Sequence, residues 1–138
     1  MSYNDPAAID DPLLTPFWAH ARAHRLAVQR CAACGDLHFP PGPVCPVCLS
    51  EDQTWQEVSG KAELVSWTTF HRAYWPAFAK ALPYDVCLVK LAEGPLLLSN
   101  FLGATPRDLV MGLPLRVVFD DVSDAVTLPK FVADVPHA

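Results

Sequence analysis

Cys31, Cys34, Cys45 and Cys48 stand as C-x2-C-x10-C-x2-C, four of the chain's five cysteines within eighteen consecutive residues. Each C-x2-C pair suits a tight knuckle whose backbone amides turn toward the sulfurs while both thiolates face one point. Two knuckles present four soft, anionic donors in a tetrahedron, the set that zinc takes at a closed structural site. Iron takes the same four thiolates. Gly35 follows the first pair, where a positive φ is cheap for glycine, and Pro46 stiffens the second turn. All four donors come from the protein, so one Zn2+ per chain is expected to act as a staple and not as a catalyst.

Two other uses of cysteine fit less well. Disulfides belong to oxidising compartments, and Met1-Ser2-Tyr3-Asn4-Asp5 has neither the basic nor the apolar region of a secretory signal. A cytoplasmic location is therefore expected. A thioredoxin-like dithiol uses one pair beside a βαβ pattern, not two pairs in close succession. His38 lies between the pairs and, with four thiolates available, is expected on the surface. Cys87 stands among apolar residues of a strand and reads as a buried structural thiol.

Catalytic pairs are hard to assemble from what remains. His71-Arg72 stands between Phe70 and Tyr74-Trp75 with no patterned serine, cysteine or carboxylate beside it, and reads as a hydrogen-bonded strand histidine. Asp120-Asp121 with Ser123-Asp124 reads as a solvated acidic turn. No catalytic residue is assigned. The aromatic residues Phe17-Trp18, Tyr74-Trp75 and Phe78 are the candidates for contact with a partner, because an interface needs an apolar, aromatic surface of low charge. Packing on the domain body is the simpler reading for Phe17 and Trp18.

These residues have to be positioned by short elements. The chain has 138 residues, 51% of them hydrophobic and 18% charged, and its 14 prolines favour strands over long helices. Residues 1–15 read as a flexible tail. Thr15-Pro16 marks a helix start, with the hydroxyl as N-cap, and the helix is expected over 16–24. Leu26–Arg30, Asp36–Phe39 and Trp55–Val58 then make a three-stranded ribbon around the knuckles, so 16–59 forms one unit. Ser59-Gly60 is the boundary to a second unit, 60–138.

That unit opens with a long strand from Lys61 to Trp75, followed by a loop between Pro76 and Pro83. Further strands are expected at Tyr84–Leu91, Pro95–Phe101, Leu115–Phe119 and from Ala125 to Leu128, where Pro129 interrupts. A turn of helix is expected at Thr105-Pro106. Five strands with a long, bent first strand fit an OB-type barrel, whereas an immunoglobulin-like sandwich wants about seven. The fold class is mainly β. Because each unit has its own strands, losing a cysteine ligand is expected to unfold the ribbon and leave the barrel partly formed.

The charge pattern bears on partners. Net charge is −5, and residues 60–138 carry seven Lys/Arg against eight Asp/Glu, with no basic stripe. Phosphate neutralisation drives nucleic-acid binding, so that class is disfavoured despite the fold. A membrane span would need about eighteen consecutive apolar residues, and the chain has no such run. An acyl-CoA ligand would need cations, and Arg72, Lys80, Arg107 and Lys130 are scattered in sequence.

A short helix followed by Leu26, Gln29-Arg30-Cys31, Cys34-Gly35, Cys45-Pro46 and Cys48 resembles the rubredoxin-like zinc-ribbon plus OB-fold family, long listed as a domain of unknown function. The likeness continues through Ser59-Gly60, Pro83-Tyr84, Gly94-Pro95-Leu96, residues 112–119 and Leu128-Pro129 with Phe131. Leu49 departs from it, standing where the family often has glycine after the second knuckle. The resemblance implies a non-catalytic partner of thiolase-fold acyl-CoA enzymes, an aldolase or an acyltransferase, in a hetero-oligomer. Acyl-CoA binding by the chain itself is the alternative.

Overall fold

The protein is described by a computed structural model covering residues 11–74, 76–103 and 105–134. Residues 1–10 of the expected tail lie outside the described residues. Residues 11–14 form a turn, in which Asp11 accepts from the Leu13 and Leu14 amides at 3.0 and 2.9 Å. The helix α1 (Thr15–Arg22) starts from this turn, one residue earlier than expected, and ends two earlier. Thr15 is not its cap: Leu14 holds that position and the Thr15 hydroxyl donates to the Asp11 carbonyl at 3.3 Å. His24, at φ 58°, reverses the chain, and the Arg25 amide closes back on the His20 carbonyl at 2.9 Å. That turn shortens the helix.

The ribbon has three antiparallel strands, with β1 (Leu26–Cys31) between β2 (Leu37–His38) and β3 (Gln53–Val58). β1 pairs with β3 from Leu26↔Val58 to Cys31↔Gln53, which brings the first knuckle to one end of the sheet. Gln29 stands opposite His38 across the β1–β2 pair.

The second sheet has five strands in the order β6-β5-β4-β7-β8: β4 (Lys61–Phe70), β5 (Tyr84–Leu91), β6 (Leu96–Ser99), β7 (Pro114–Asp121) and β8 (Thr127–Ala133). A bulge between Leu64 and Ser66 bends β4, which lets one strand serve two neighbours: β7 through residues 61–63 and β5 along its length. A parallel bridge between Phe101 and Phe131 joins the two edges and curls the sheet toward closure. This is the OB-type barrel that the strand pattern predicts.

Four details differ from the expectation. β4 ends at Phe70, not Trp75, and residues 76–81 form a 3-10 helix in the loop between the prolines. Pro129 does not interrupt the last strand. It pairs opposite Phe119, with its carbonyl facing β6 to accept the Ser99 hydroxyl at 2.8 Å. Its missing N–H therefore points to the open seam, away from the β7 ladder. No helix forms at Thr105-Pro106 among the described residues. The Thr105 hydroxyl instead donates to the Asp85 carboxylate, pulling the chain across the sheet.

One apolar core spans both sheets. Phe17 from α1 and Leu26 and Val28 from β1 pack with Leu64, Leu115 and Phe131 of the barrel, all of them buried. The two strand sets are separate, but their cores are not. Cys87 lies in this core, and burial pushes its thiol up to about 11, which keeps it protonated and unreactive.

Candidate functional site

The four ribbon cysteines converge. Their Sγ atoms all lie within 4.8 Å of one another, with Cys31 to Cys48 at 3.5 Å and Cys34 to Cys45 at 3.6 Å. A tetrahedron with metal–sulfur bonds of about 2.3 Å has edges of about 3.8 Å, so the cluster fits a four-thiolate ion in both donor chemistry and size. The backbone supports it: the Cys34 amide donates to Cys31 Sγ at 3.4 Å, and the Val47 amide to Cys45 Sγ at 3.3 Å. The first of these bonds holds the Cys31 thiol down at about 6. The backbone at Asp36 and Ser50 favours the Cys34 and Cys48 thiolates, but burial and the neighbouring sulfurs outweigh it, pushing Cys34 up to about 12 and Cys48 up. Cys31 is therefore the readiest thiolate of the three. Cys31 and Cys45 are buried, whereas Cys34 and Cys48 are exposed.

Both knuckles close through left-handed residues, Gly35 at φ 80° and Leu49 at φ 65°. Leu49 pays the steric cost that glycine avoids, about 1–2 kcal/mol, and its side chain is 71% exposed and packs little in return. Leu49→Gly should therefore be neutral to stabilising by about 1 kcal/mol, the strain relieved being offset in part by a freer unfolded chain. Chemical denaturation of the metal-loaded protein measures it. A loss above about 1 kcal/mol would show that the Leu49 side chain contributes packing after all.

His38 corrects the sequence reading. It is buried, not on the surface, with Nδ1 3.1 Å from Asp36 Oδ2 and Nε2 2.8 Å from Gln29 Oε1. Gln29 is itself fixed, since Gly42 donates to its Oε1 at 2.9 Å and accepts from its Nε2 at 3.0 Å. The β1–β2 register puts Gln29 opposite His38, which is why the ring turns inward. Donor atoms of Asp36, His38 and Cys45 also lie within 4.8 Å of one another. The sequence signal was the polar pair Gln29 and His38 on facing strands, readable only with the register known.

The aromatic candidates divide. Phe17, Trp18 and Phe78 line one half-open groove of about 840 Å³ between α1, the ribbon end at Phe39-Pro40 and the barrel mouth. Phe17 is buried, its ring 5.1 Å from that of Trp18 and 5.2 Å from that of Phe39, so it forms the groove's floor. Phe78 packs on Tyr84 at 6.2 Å, another lining residue that sequence reasoning missed. Tyr74 stands apart, 65% exposed, with the Arg72 guanidinium 5.5 Å over its ring. Trp75 lies outside the described residues.

Of the cations considered for CoA, Lys130 alone among the described residues lines the groove, and Asp120 holds it at 2.7 Å. Asp85 at the same wall accepts from the hydroxyls of Thr105 and Thr69, which hold its carboxyl below the usual range. His71 does not lie in a strand. It follows the end of β4, is exposed, and has no hydrogen-bond partner among the described residues. The acidic turn is tied down more than expected: Asp121 accepts from Thr127 at 2.6 Å and faces His24 Nε2 at 3.1 Å. Among the described residues no helix is long and apolar enough to cross a membrane.

A thiolate-knuckle ribbon packed through a shared core onto a small Greek-key barrel defines the class: a rubredoxin-like zinc ribbon joined to an OB fold. Residues 18–52 match the family described as the ChsH2 rubredoxin-like zinc ribbon domain, and residues 55–120 match the ChsH2 C-terminal OB-fold domain. The chain belongs to this ChsH2/DUF35 family. It is 32% identical over 103 residues to a DUF35 domain-containing scaffold protein of Pyrococcus furiosus, covering 74% of each. It is 40% identical over 122 residues to a protein of Thermomonospora curvata named "Probable enoyl-CoA hydratase alpha subunit", covering 88% of this chain and only 38% of that one. Among solved structures, an Ltp2-ChsH2(DUF35) aldolase chain superposes with a TM-score of 0.82 at 36% identity, covering 95% of this chain and 100% of that one.

Proposed function

We propose that this chain is a non-catalytic accessory subunit that binds a thiolase-fold acyl-CoA enzyme, an aldolase or an acyltransferase, and supports its folding or activity. The likeness over the whole length of a chain from an aldolase carries this reading. The surface agrees with it. Tyr74 is exposed apart from the groove, Phe78 and Trp18 line the groove itself, and side chains of this kind anchor interfaces. Trp75 belongs to the same sequence patch. Two units divide the labour: 16–59 carries the metal, and 60–138 carries the barrel face behind Tyr74 and Phe78.

The metal is zinc, one per chain, held by Cys31, Cys34, Cys45 and Cys48. Four soft thiolates with all positions filled give it a structural role. Four thiolates at this spacing also suit a reducing, cytoplasmic setting.

The test mixes the purified chain with a thiolase-fold acyl-CoA enzyme and reads complex formation by size-exclusion chromatography and titration calorimetry. A stable complex is expected, and Tyr74→Ala should weaken it about thirtyfold, the equivalent of about 2 kcal/mol, while leaving the free chain's melting unchanged. His71→Ala should leave turnover by the assembled enzyme intact. Failure to form any complex would overturn the reading, and so would a His71→Ala variant that binds normally but kills turnover.

A further inference from the structure

The ribbon holds more donors than a four-thiolate site uses, and their placement is ordered. The exposed pair, Cys34 and Cys48, faces solvent, where electrophiles and oxidants reach it. Of the buried pair, Cys31 and Cys45, the second has His38 and Asp36 beside it, their donor atoms within 4.8 Å of Cys45 Sγ and of each other. We infer that His38 is a reserve ligand: when an exposed thiolate is lost, it enters the metal shell beside Cys31, Cys45 and the remaining outer cysteine.

The chemistry permits this, and the geometry already brings His38 to one of the four sulfurs, that of Cys45. Three thiolates and one imidazole are an established zinc set, of the same tetrahedral shape as the four-thiolate one and carrying one negative charge fewer. His38 is buried, so no bulk water has to be displaced from its ring, and its orientation is already fixed by Asp36 on one nitrogen and Gln29 on the other. Entering the shell costs the ring one of those two hydrogen bonds. If the Asp36 bond is kept, the carboxylate–histidine–metal relay common around metal-bound imidazoles results, and Asp36 orients the incoming ring. This explains why a histidine is buried on the inner side of a site already supplied with four sulfurs.

The inference rests on the metal reading above, and the experiment separates the two. Wild-type, His38→Ala, Cys48→Ala and Cys48→Ala/His38→Ala chains are purified, and Zn2+ content and affinity are measured, with Co2+ replacing Zn2+ for absorption spectra. A wild-type chain without metal would sink the metal reading itself. With the wild type loaded, His38→Ala should keep one metal per chain. Cys48→Ala should also keep one, with a tetrahedral Co2+ spectrum whose thiolate absorption falls by one ligand's share. The double variant should bind at least about 100-fold more weakly than Cys48→Ala, the upper range for losing a supporting group and the minimum for losing a ligand. Cys34→Ala, alone and combined with His38→Ala, gives the same comparison independently. If both single cysteine variants purify without metal while His38 is present, folded or not, the inference is overturned. It is equally overturned if removing His38 from a loaded cysteine variant leaves the affinity unchanged.

Discussion

Stripping the metal with a chelator should unfold the ribbon and take a large part of the barrel's stability with it. β1, β2 and β3 form a sheet too small to bury a core of their own, so metal binding and ribbon folding are one event, with apparent energies of about 10–16 kcal/mol at comparable sites. Losing the ribbon also uncovers the barrel. Phe17, Leu26 and Val28 are buried against barrel residues, and each such side chain contributes about 1.5–3 kcal/mol when fully buried. Their combined loss is comparable to the whole stability of a small domain, about 5–15 kcal/mol. A barrel left partly formed, the expectation from separate strand sets, is therefore replaced by one that melts far lower or is already open at room temperature. Far-UV circular dichroism with thermal melts, with and without chelator, measures this, and Cys45→Ser is the genetic counterpart. A chelated chain whose barrel melts unchanged would show that the two cores are independent.

The strand plan was legible because its signal is local. Alternation in Tyr84–Leu91 and the turn at Glu93-Gly94 fix β5 and β6 whatever they pack against. The cysteine cluster was legible for the same reason, since its spacing specifies two knuckles. The errors have another character. Aromatic β-formers at Tyr74-Trp75 extended the first barrel strand past Phe70, because propensity does not register where a pairing partner ends. Pro129 breaks a strand only if its N–H is required, and that depends on which side of β8 faces the seam. The inward turn of the His38 ring follows from Gln29 across the ladder, which no local pattern around His38 contains. The groove that gathers Phe17, Trp18 and Phe78 depends on contacts between residues some sixty positions apart in the chain. No window of sequence contains them.

Gly60→Ala should cost about 2–5 kcal/mol, combining left-handed strain of about 1–2 with overpacking of about 1–3. Gly60 holds φ 82° between β3 and β4, and its carbonyl accepts from the Val117 amide at 2.8 Å. A Cβ added there would lie 2.3 Å from Val117 Cγ1 and 3.2 Å from Val117 Cβ, so either β7 moves or the turn opens. Both responses shift the ribbon against the barrel and with it the two walls of the groove. The expected result is a melting temperature lower by about 10 °C or more for a domain of this size. Complex formation with the proposed thiolase-fold enzyme should weaken further than the change in stability of the free chain accounts for. A cycle with Val117→Ala separates the causes: trimming the valine relieves the collision but leaves the backbone strain, so the double variant should recover only part of the loss. A single Gly60→Ala variant within about 0.5 kcal/mol of the wild type would mean that the turn has another accessible conformation, and that the close approach of Gly60 to Val117 does not fix how the ribbon meets the barrel.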